Sequence, residues 1–388
     1  MASCSSNPDE IDRLSALPDE VLITILSLLP NCTASRTSVL SRRFRHLWKN
    51  SPSVDLTIKF FNYFRRKTFV AMATSAILSR TSSNPLPRLH LEIGNPLQCN
   101  TTDSFISSLL LHAHSLRLRH LIIDGLCFFE SILHAVFSIS TLESLSILII
   151  PEMTFPSTIA FTRLKSLSIN LTKLNSTQFQ GLLSQLCCLE DLQLYVSAGI
   201  VCLSSRTIKR LELLLFDTSP EPYSLGLSMP SLEFLSFKNF EAHENLPHIH
   251  GDIPFIRKAV VTLESLHQKH IPAIAQFLNC ISHVEELSLD LEEHMLGDYP
   301  FHVLMEPGKE VPTFPNLKHL DVNICFHESN FEAVVTMLHH CPVLESLKLH
   351  HKSSDMCGVK RGKRNAWRSK LPRNSDDLPL AGIFEVFL

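Results

Sequence analysis

The sequence predicts an α/β protein in which a small helical module is followed by an irregular solenoid of short parallel strands. Apolar residues at helical spacing fill residues 13–52. From residue 86 onward a unit of the form L-x-x-L-x-[LI] recurs, with the alternation expected of a half-buried strand. Glycine is scarce, with 11 residues in 388, and neither G-x-G-x-x-G nor G-x-x-x-x-G-K-[ST] occurs. These observations disfavour the glycine-loop nucleotide folds.

The first helix is predicted to begin in the segment LPDE, residues 17–20. Pro18 suits a first helical turn, where its missing N–H would have no partner, and the two acids that follow lie at the positive end of the helix dipole. Pro30 ends this helix, and the basic amphipathic segment 42–49 follows. About three short helices in roughly 40 residues bury their apolar surface poorly, so part of it must pack on the remaining chain or on another protein. The apolar stripe of the first helix comprises Val21, Leu22, Ile25, Leu26 and Leu29.

The string LPDEVLITILSLLP…TSVLSRRFRHLW resembles the plant form of the F-box, L-P-x-E/D-x-L…I-L-S-x-L-P…S-V-L-S-[KR]-R-W-R-x-L-W. Phe44 replaces the usual first tryptophan and keeps an aromatic side chain there. An F-box is a helical module that docks substrate receptors onto cullin–RING ubiquitin ligases. The resemblance therefore implies a three-helix F-box over residues 13–52 and a partner, the small Skp-type linker protein, which bridges it to cullin.

The resemblance also implies which apolar residues of the F-box face the linker. Leu17 and Pro18, at the start of the first helix, are expected at the linker surface. Further apolar contact, or module core, is expected from Leu22, Ile25, Val39 and Leu40. We expect Leu26, Leu47 and Trp48 to belong to the core of the module.

The second region contains nine clear copies of the repeat unit and two weaker ones. The clear copies begin at Leu118, Leu142, Leu164, Leu189, Ile208, Leu232, Val284, Leu317 and Leu344, and the weaker ones at Leu86 and Ile256. Most steps fall within the ~20–29-residue period of leucine-rich repeats, each a strand plus a helical or irregular return. We assign residues 86–352 to these repeats and residues 53–85 to a linker or first cap. Helical returns are expected over residues 104–111, 128–137, 177–186, 272–278 and 331–338.

Stacked repeats bury a continuous leucine core, because one unit alone has too little apolar surface to form one. The residues between the leucines are expected to point outward and to line a concave face, the default binding surface of such solenoids. Geometry alone makes four outward residues candidates for binding a target protein: Glu190, Asp191, Gln193 and Lys318.

An F-box followed by repeats such as CCLE (187–190), MPSLE (229–233) and CPVLE (341–345) resembles plant F-box/leucine-rich-repeat proteins. Many of these end in an FBD domain, whereas residues 353–388 depart from that pattern. We expect these residues to form a polar, poorly ordered tail with at most a truncated FBD remnant, and residues 1–12 to be disordered.

Two basic clusters have alternative interpretations. The cluster in the F-box is typical of a solvated helix face, and the alternative is a contact patch. It consists of Arg42, Arg43, Arg45 and Lys49. In the tail, the cluster is typical of a solvated segment and is also a candidate nuclear signal or nucleic-acid contact; it consists of Lys360, Arg361, Lys363 and Arg364. The net charge of −3, from 35 basic and 38 acidic residues, makes nucleic acid an unlikely partner of the whole chain.

The sequence offers no catalytic, metal or cofactor motif. Its 20 histidines form no H-E-x-x-H pattern, and its 11 cysteines, none in C-x-x-C, are expected to be reduced, buried thiols. No membrane span and no signal peptide are expected, so the nucleus or the cytoplasm is the expected compartment.

The F-box/leucine-rich-repeat resemblance implies a non-catalytic substrate receptor of a Skp–cullin–F-box ubiquitin ligase. Such a receptor raises the local concentration of a target near a charged ubiquitin-conjugating enzyme. The alternative is a leucine-rich-repeat scaffold that works without a ligase. A working linker interface distinguishes the two.

Overall fold

The computed structural model describes residues 13–14, 16–29, 31–58, 69–93, 100–125, 130–150, 155–156, 158–171, 175–196, 202–216, 224–239, 246–266, 268–293, 300–305, 312–324, 328–351 and 383–387. The chain divides into two compact units, Met1–Ser146 and Ile147–Leu388. N-terminal helices precede a long series of parallel strands, which confirms the predicted α/β class.

The first unit begins with the three predicted short helices. They are α1 (Asp19–Ser27), α2 (Asn31–Arg36) and α3 (Phe44–Leu47), with 3-10 turns at Thr37–Val39 and Trp48–Asn50. Their core is small and consists of Leu22, Leu26, Ala34, Phe44, Leu47 and Trp48, each at most 8% exposed. The expected core positions Leu26, Leu47 and Trp48 are therefore confirmed.

Three parallel strands complete the first unit, β1 (Ser53–Ile58), β2 (Arg88–Ile93) and β3 (His120–Gly125). Their inward residues lie in register, because Val54 is opposite Leu89, which is opposite Leu121. A π-helical turn at Thr74–Leu78 lies between β1 and β2, and the returns are α4 (Asn100–Ser115) and α5 (Glu130–Phe137). The strand ladder thus starts in the segment expected to be a linker or first cap. Strand β4 (Ser144–Ile150) runs across the boundary between the units.

A buried arginine connects the F-box to the first strands. Arg80 is 4% exposed, and its guanidinium donates from Nε to the carbonyl of Ala76 (2.6 Å), from Nη2 to that of Ser51 (2.8 Å) and from Nη1 to that of Pro85 (3.2 Å). Burial lowers the pKa of Arg80 to about 10, so the group stays charged at neutral pH. One cation thus holds the end of the F-box, a helical turn and the entry to β2 together.

The second unit contains two parallel sheets. The larger has the order β5 (Ser166–Leu171), β6 (Asp191–Val196), β8 (Arg210–Leu215), β10 (Phe234–Asn239), β12 (Lys258–Leu266), β13 (Glu286–Glu293), β14 (His319–Ile324), β15 (Ser346–His351), β16 (Ile383–Phe387). The smaller consists of β7 (Cys202–Ser204), β9 (Ser224–Ser228) and β11 (His248–Asp252). Its helices are α6 (Ser176–Gln185), α7 (Ile271–Cys280), α8 (Pro300–Leu304) and α9 (Glu328–His339).

The predicted inward positions form the core of the repeats. In all eleven copies the first, fourth and sixth residues of the L-x-x-L-x-[LI] unit are at most 2% exposed. They stack in register, as where Leu211 lies opposite both Leu192 and Leu235. The five predicted helical returns are also confirmed, with boundaries shifted by a few residues. Parallel pairing of identical positions explains why the leucines recur at the same place in each unit.

The structure differs from expectation at two places in the second unit. Three returns contain strands of the smaller sheet, where helical or irregular returns were expected. In this sheet Gly251 has φ +149° and no room for a Cβ beside the Leu227 carbonyl. The segment 353–388, expected to be a polar tail, contains β16, in which Phe384 lies opposite Leu347. An apolar alternation within an otherwise polar segment is enough to add one more strand to the ladder. The basic cluster of the tail and residues 1–12 lie outside the described residues.

Candidate functional site

The first helix of the F-box carries a buried and an exposed apolar face. Leu22 and Leu26 are 1% and 3% exposed, because residues four apart project from the same side of a helix. The outer face follows the same spacing from Pro18 through Val21 to Ile25, which are all exposed. Past the helix end, Leu28 is 81% exposed and Leu29 is also exposed. We call the exposed apolar residues between 14 and 40 the apolar surface of the F-box.

The turn between α2 and α3 adds the most exposed large apolar side chain described. Val39 is 87% and Leu40 is 63% exposed. The Leu40 amide donates to the Thr37 carbonyl at 2.9 Å, and the Thr37 hydroxyl donates to the Ala34 carbonyl at 2.6 Å. These bonds fix the turn, so Val39 and Leu40 are presented outward on defined backbone.

Arg43 positions the start of α1. Its Nε donates to Asp19 Oδ1 at 2.6 Å, and its Nη2 donates to the Leu17 carbonyl at 2.6 Å. The arginine therefore holds the Leu17–Pro18 segment against the N-terminus of the helix. Of the basic residues in this run, Arg42 and Arg45 are exposed, as expected of a solvated face, whereas Arg43 acts within the module.

Most predicted linker contacts are accessible, and one is not. Pro18, Ile25, Val39 and Leu40 are exposed and Leu17 is half-buried. Of the two roles expected for Leu22, linker contact or module core, the structure shows the second, because its side chain is 1% exposed. Four accessible residues were missed: Leu14, Val21, Leu28 and Leu29. Their signal was present, since Val21 and Leu29 belong to the same stripe, but the stripe alone does not show which half packs inward.

The strands of the second unit begin with charges of alternating sign. From Glu190 onward, the residue after the first apolar residue of each repeat unit donates its amide to the equivalent carbonyl of the preceding unit at 2.8–2.9 Å. In order these residues are Lys165, Glu190, Lys209, Glu233, Arg257, Glu285, Lys318 and Glu345, which we call the charge ladder. Neighbouring strands lie about 4.8 Å apart, so each charge stands next to charges of opposite sign.

Three of the four predicted target contacts take part in ion pairs of the array. Glu190 pairs with Lys209 at 3.3 Å, Asp191 with Arg210 at 3.3 Å and Lys318 with Glu285 at 3.6 Å. Gln193 is half-buried on β6 and lies opposite Ser168 and Glu212. These pairs are solvent-exposed and contribute about 0–1 kcal/mol each. Sequence reasoning missed them because the partners are a full repeat apart.

An open hollow of about 970 Å³ lies beside the charge ladder. The loops before the strands line it with Pro230, Pro254, Phe255, Pro315 and Val343, together with ladder residues from Lys209 to Lys318. Phe255 is 64% exposed and Val343 is 45% exposed. The hollow thus combines apolar loop residues with a row of alternating charges.

The described residues show few features of reactive chemistry. No group of three or more His, Cys, Asp or Glu side chains among them could hold a metal ion, and none of their helices is long and apolar enough to cross a membrane. Of the five cysteines whose side chains the structure describes, all free, only Cys341 is buried, and burial raises its pKa to about 12. The expectation of buried thiols is wrong for Cys187, Cys188 and Cys202, which are exposed.

Known protein families match both regions of the chain. Residues 14–55 match the F-box domain, and residues 77–369 match the At1g61320/AtMIF1 LRR domain, which is more than half of the chain. The chain belongs to the plant F-box/LRR-repeat family. The resemblances read from the sequence motifs are thereby confirmed, and the two matches suggest a ligase substrate adaptor, a generally non-catalytic class of protein.

Relatives in Arabidopsis thaliana share this arrangement over most of their length. F-box/LRR-repeat protein At5g02910 is 26% identical, with 93% of this chain and 79% of the relative covered. F-box/FBD/LRR-repeat protein At1g51370 is 28% identical, with 92% and 79% covered. F-box/LRR-repeat protein At4g14103 is 25% identical, with 89% and 94% covered. This F-box/LRR protein therefore matches them through both regions, not through the F-box alone.

Proposed function

We propose that this F-box/LRR protein is the substrate-recognition subunit of a Skp–cullin–F-box ubiquitin ligase. The apolar surface of the F-box binds a Skp-type linker and, through it, cullin. The repeats bind a target protein on the exposed face of their strands. The subunit makes and breaks no bonds itself; it holds a target lysine near the charged conjugating enzyme and so raises its effective concentration.

The uneven distribution of exposed apolar side chains is the observation that carries this proposal. Of the twelve large apolar side chains that are exposed in the described part of the chain, seven lie between residues 14 and 40. Such a concentration on a small module is typical of a protein-binding surface. Its residue set overlaps the linker contacts that the F-box motif implies, namely Pro18, Ile25, Val39 and Leu40.

Co-purification of the full chain with a plant Skp-type linker tests the proposal. Two double variants, Val39→Ser with Leu40→Ser and Leu17→Ala with Pro18→Ala, should each weaken linker binding at least about tenfold, as truncation of central apolar anchors does. The matched control is Leu111→Ser, which removes an apolar side chain 52% exposed on α4 and should bind the linker like the wild type.

The outcomes separate the ligase subunit from a scaffold that works without a ligase. Circular dichroism establishes that each variant is folded before binding is compared. A folded wild type that captures no linker would refute the ligase proposal and favour the scaffold. If Leu111→Ser lost as much linker affinity as the F-box variants, the linker would not be using the proposed surface.

A further inference from the structure

The charge ladder is complementary to itself. Within the second unit it contains eight charges of strictly alternating sign, from the cation Lys165 to the anion Glu345, and Arg119 and Glu143 at the equivalent positions of the first unit follow the same alternation. When an alternating row of even length is turned end for end, each cation meets an anion. Lys165 would face Glu345, Glu190 would face Lys318, Lys209 would face Glu285, and Glu233 would face Arg257. Two-fold interfaces require this self-complementarity, because each contact occurs twice.

We propose that a second copy of this chain docks antiparallel on the ladder edge of the repeats and forms a two-fold dimer. The two-fold axis passes between Glu233 and Arg257, where Phe255 is exposed and Glu233 has no ion pair within the described residues. The dimer uses only residues of the second unit, so the inference does not depend on linker binding by the F-box.

The centre of the ladder has the features of an interface core. Phe255 stands two residues before Arg257, 64% exposed, at the hollow of about 970 Å³ that Pro230 and Pro254 also line. At the axis, Phe255 of each copy would enter the hollow of the other and lose its contact with water. An apolar centre surrounded by a charged rim is the usual anatomy of a protein interface.

The ion pairs within one copy leave a central charge for the other copy. Lys209 pairs with Glu190, and Arg257 pairs with Glu285 at 3.6 Å. Glu233 lies between them on the ladder, exposed, and its carboxylate forms no ion pair within the described residues. In the antiparallel dimer Glu233 of each copy meets Arg257 of the second copy, so the pairing that one chain leaves incomplete is completed at the axis.

Light scattering after size exclusion tests the dimer with full-length protein over roughly 1–100 μM, a range in which interfaces of modest strength associate. The wild type should have the mass of two chains at the upper end. Arg257→Glu and Glu233→Arg, purified separately, each place like charges on both sides of the axis and should raise the dimer dissociation constant at least tenfold. An equimolar mixture of the two variants restores an acid opposite a base at both positions and should dimerise again.

The mixture makes the result independent of any damage to folding, because two misfolded chains would not regain a dimer on mixing. Phe255→Ser should also weaken association at least tenfold, whereas Lys348→Glu, an exposed charge on β15 away from the ladder, should not. A wild type that stays monomeric throughout the range would overturn the proposal. So would single variants that dimerise like the wild type, or a mixture that stays monomeric while the wild type dimerises.

Discussion

The F-box exposes many of its large apolar side chains, whereas the repeat array buries the apolar side chains at its repeated positions. Seven large apolar side chains are exposed between residues 14 and 40, whereas the inward positions of all eleven repeat copies are at most 2% exposed. The difference follows from size and neighbours. Each repeat lies against the same positions of the next repeat, but three short helices have few partners of their own. The F-box therefore leaves apolar surface exposed, whereas each repeat is covered by its neighbours.

The largest expected effect concerns the array core. Leu192→Ala should destabilise the protein by about 3–5 kcal/mol, because the fully buried side chain would leave a cavity between β5 and β8. The neighbouring Gln193→Ala, on the opposite face of the same strand, should cost less than about 0.5 kcal/mol. Urea unfolding followed by far-UV circular dichroism measures both. Similar midpoints for the two variants would contradict the alternation on which the array is built.

Within α1 the contrast between buried and exposed apolar side chains can be tested at two adjacent residues, Leu26 and Ile25. Leu26→Ala should cost about 2–4 kcal/mol of module stability, because Leu26 is 3% exposed. Ile25→Ala, at 40% exposure, should change module stability little but weaken linker binding. Fluorescence of the buried Trp48, in a Trp367→Phe background, reports unfolding of the module. If Ile25→Ala destabilised the F-box as much as Leu26→Ala does, the two-faced description of α1 would be wrong.

Arg80 tests whether the two regions of the first unit are coupled. Arg80→Met removes three hydrogen bonds to carbonyls of Ser51, Ala76 and Pro85, and should destabilise the unit by about 2–3 kcal/mol. Arg80→Lys keeps the charge but cannot reach all three acceptors, so its stability should lie between those of Arg80→Met and the wild type. Hydrogen exchange at the end of the F-box and at the entry to β2 should rise together in Arg80→Met. Faster exchange at only one of these places would show that the residue does not couple them.

The leucine core of the array could be predicted from the sequence almost residue by residue, whereas the smaller sheet, strand β16 and part of the F-box surface could not. Burial of Leu211 follows from a period that the chain repeats eleven times. The inward orientation of Leu22, by contrast, depends on the packing of one short helix, for which the chain offers no second copy. The role of Arg80 was not predictable either, because its three acceptors are main-chain carbonyls. Every residue has such a carbonyl, so the sequence does not indicate which ones Arg80 contacts. Ion pairs such as Asp191 with Arg210 required the register of strands that are a full repeat apart.

The smallest expected effect concerns the surface charges of the array. Lys258 Nζ donates to Glu286 Oε2 at 2.8 Å, and this hydrogen bond holds the pKa of Glu286 below its ordinary value. A carboxyl group whose pKa is lowered by folding contributes stability at neutral pH, and the contribution is lost as the pH falls through the folded-state pKa. Because both side chains are about half exposed, Glu286→Gln should cost less than about 0.5 kcal/mol at pH 7.

The free energy of unfolding of Glu286→Gln and of the wild type should be measured between pH 7 and about pH 3. The small difference between the two proteins should shrink below about pH 4, the ordinary pKa range of glutamate. A constant difference across that range would mean that the substitution acts through packing rather than charge. A small effect would also bear on the charge ladder, whose residues lie one position before the start of each strand. If exposed pairs contribute so little to folding, stability alone does not account for the alternating charges, as expected if they serve the proposed dimer.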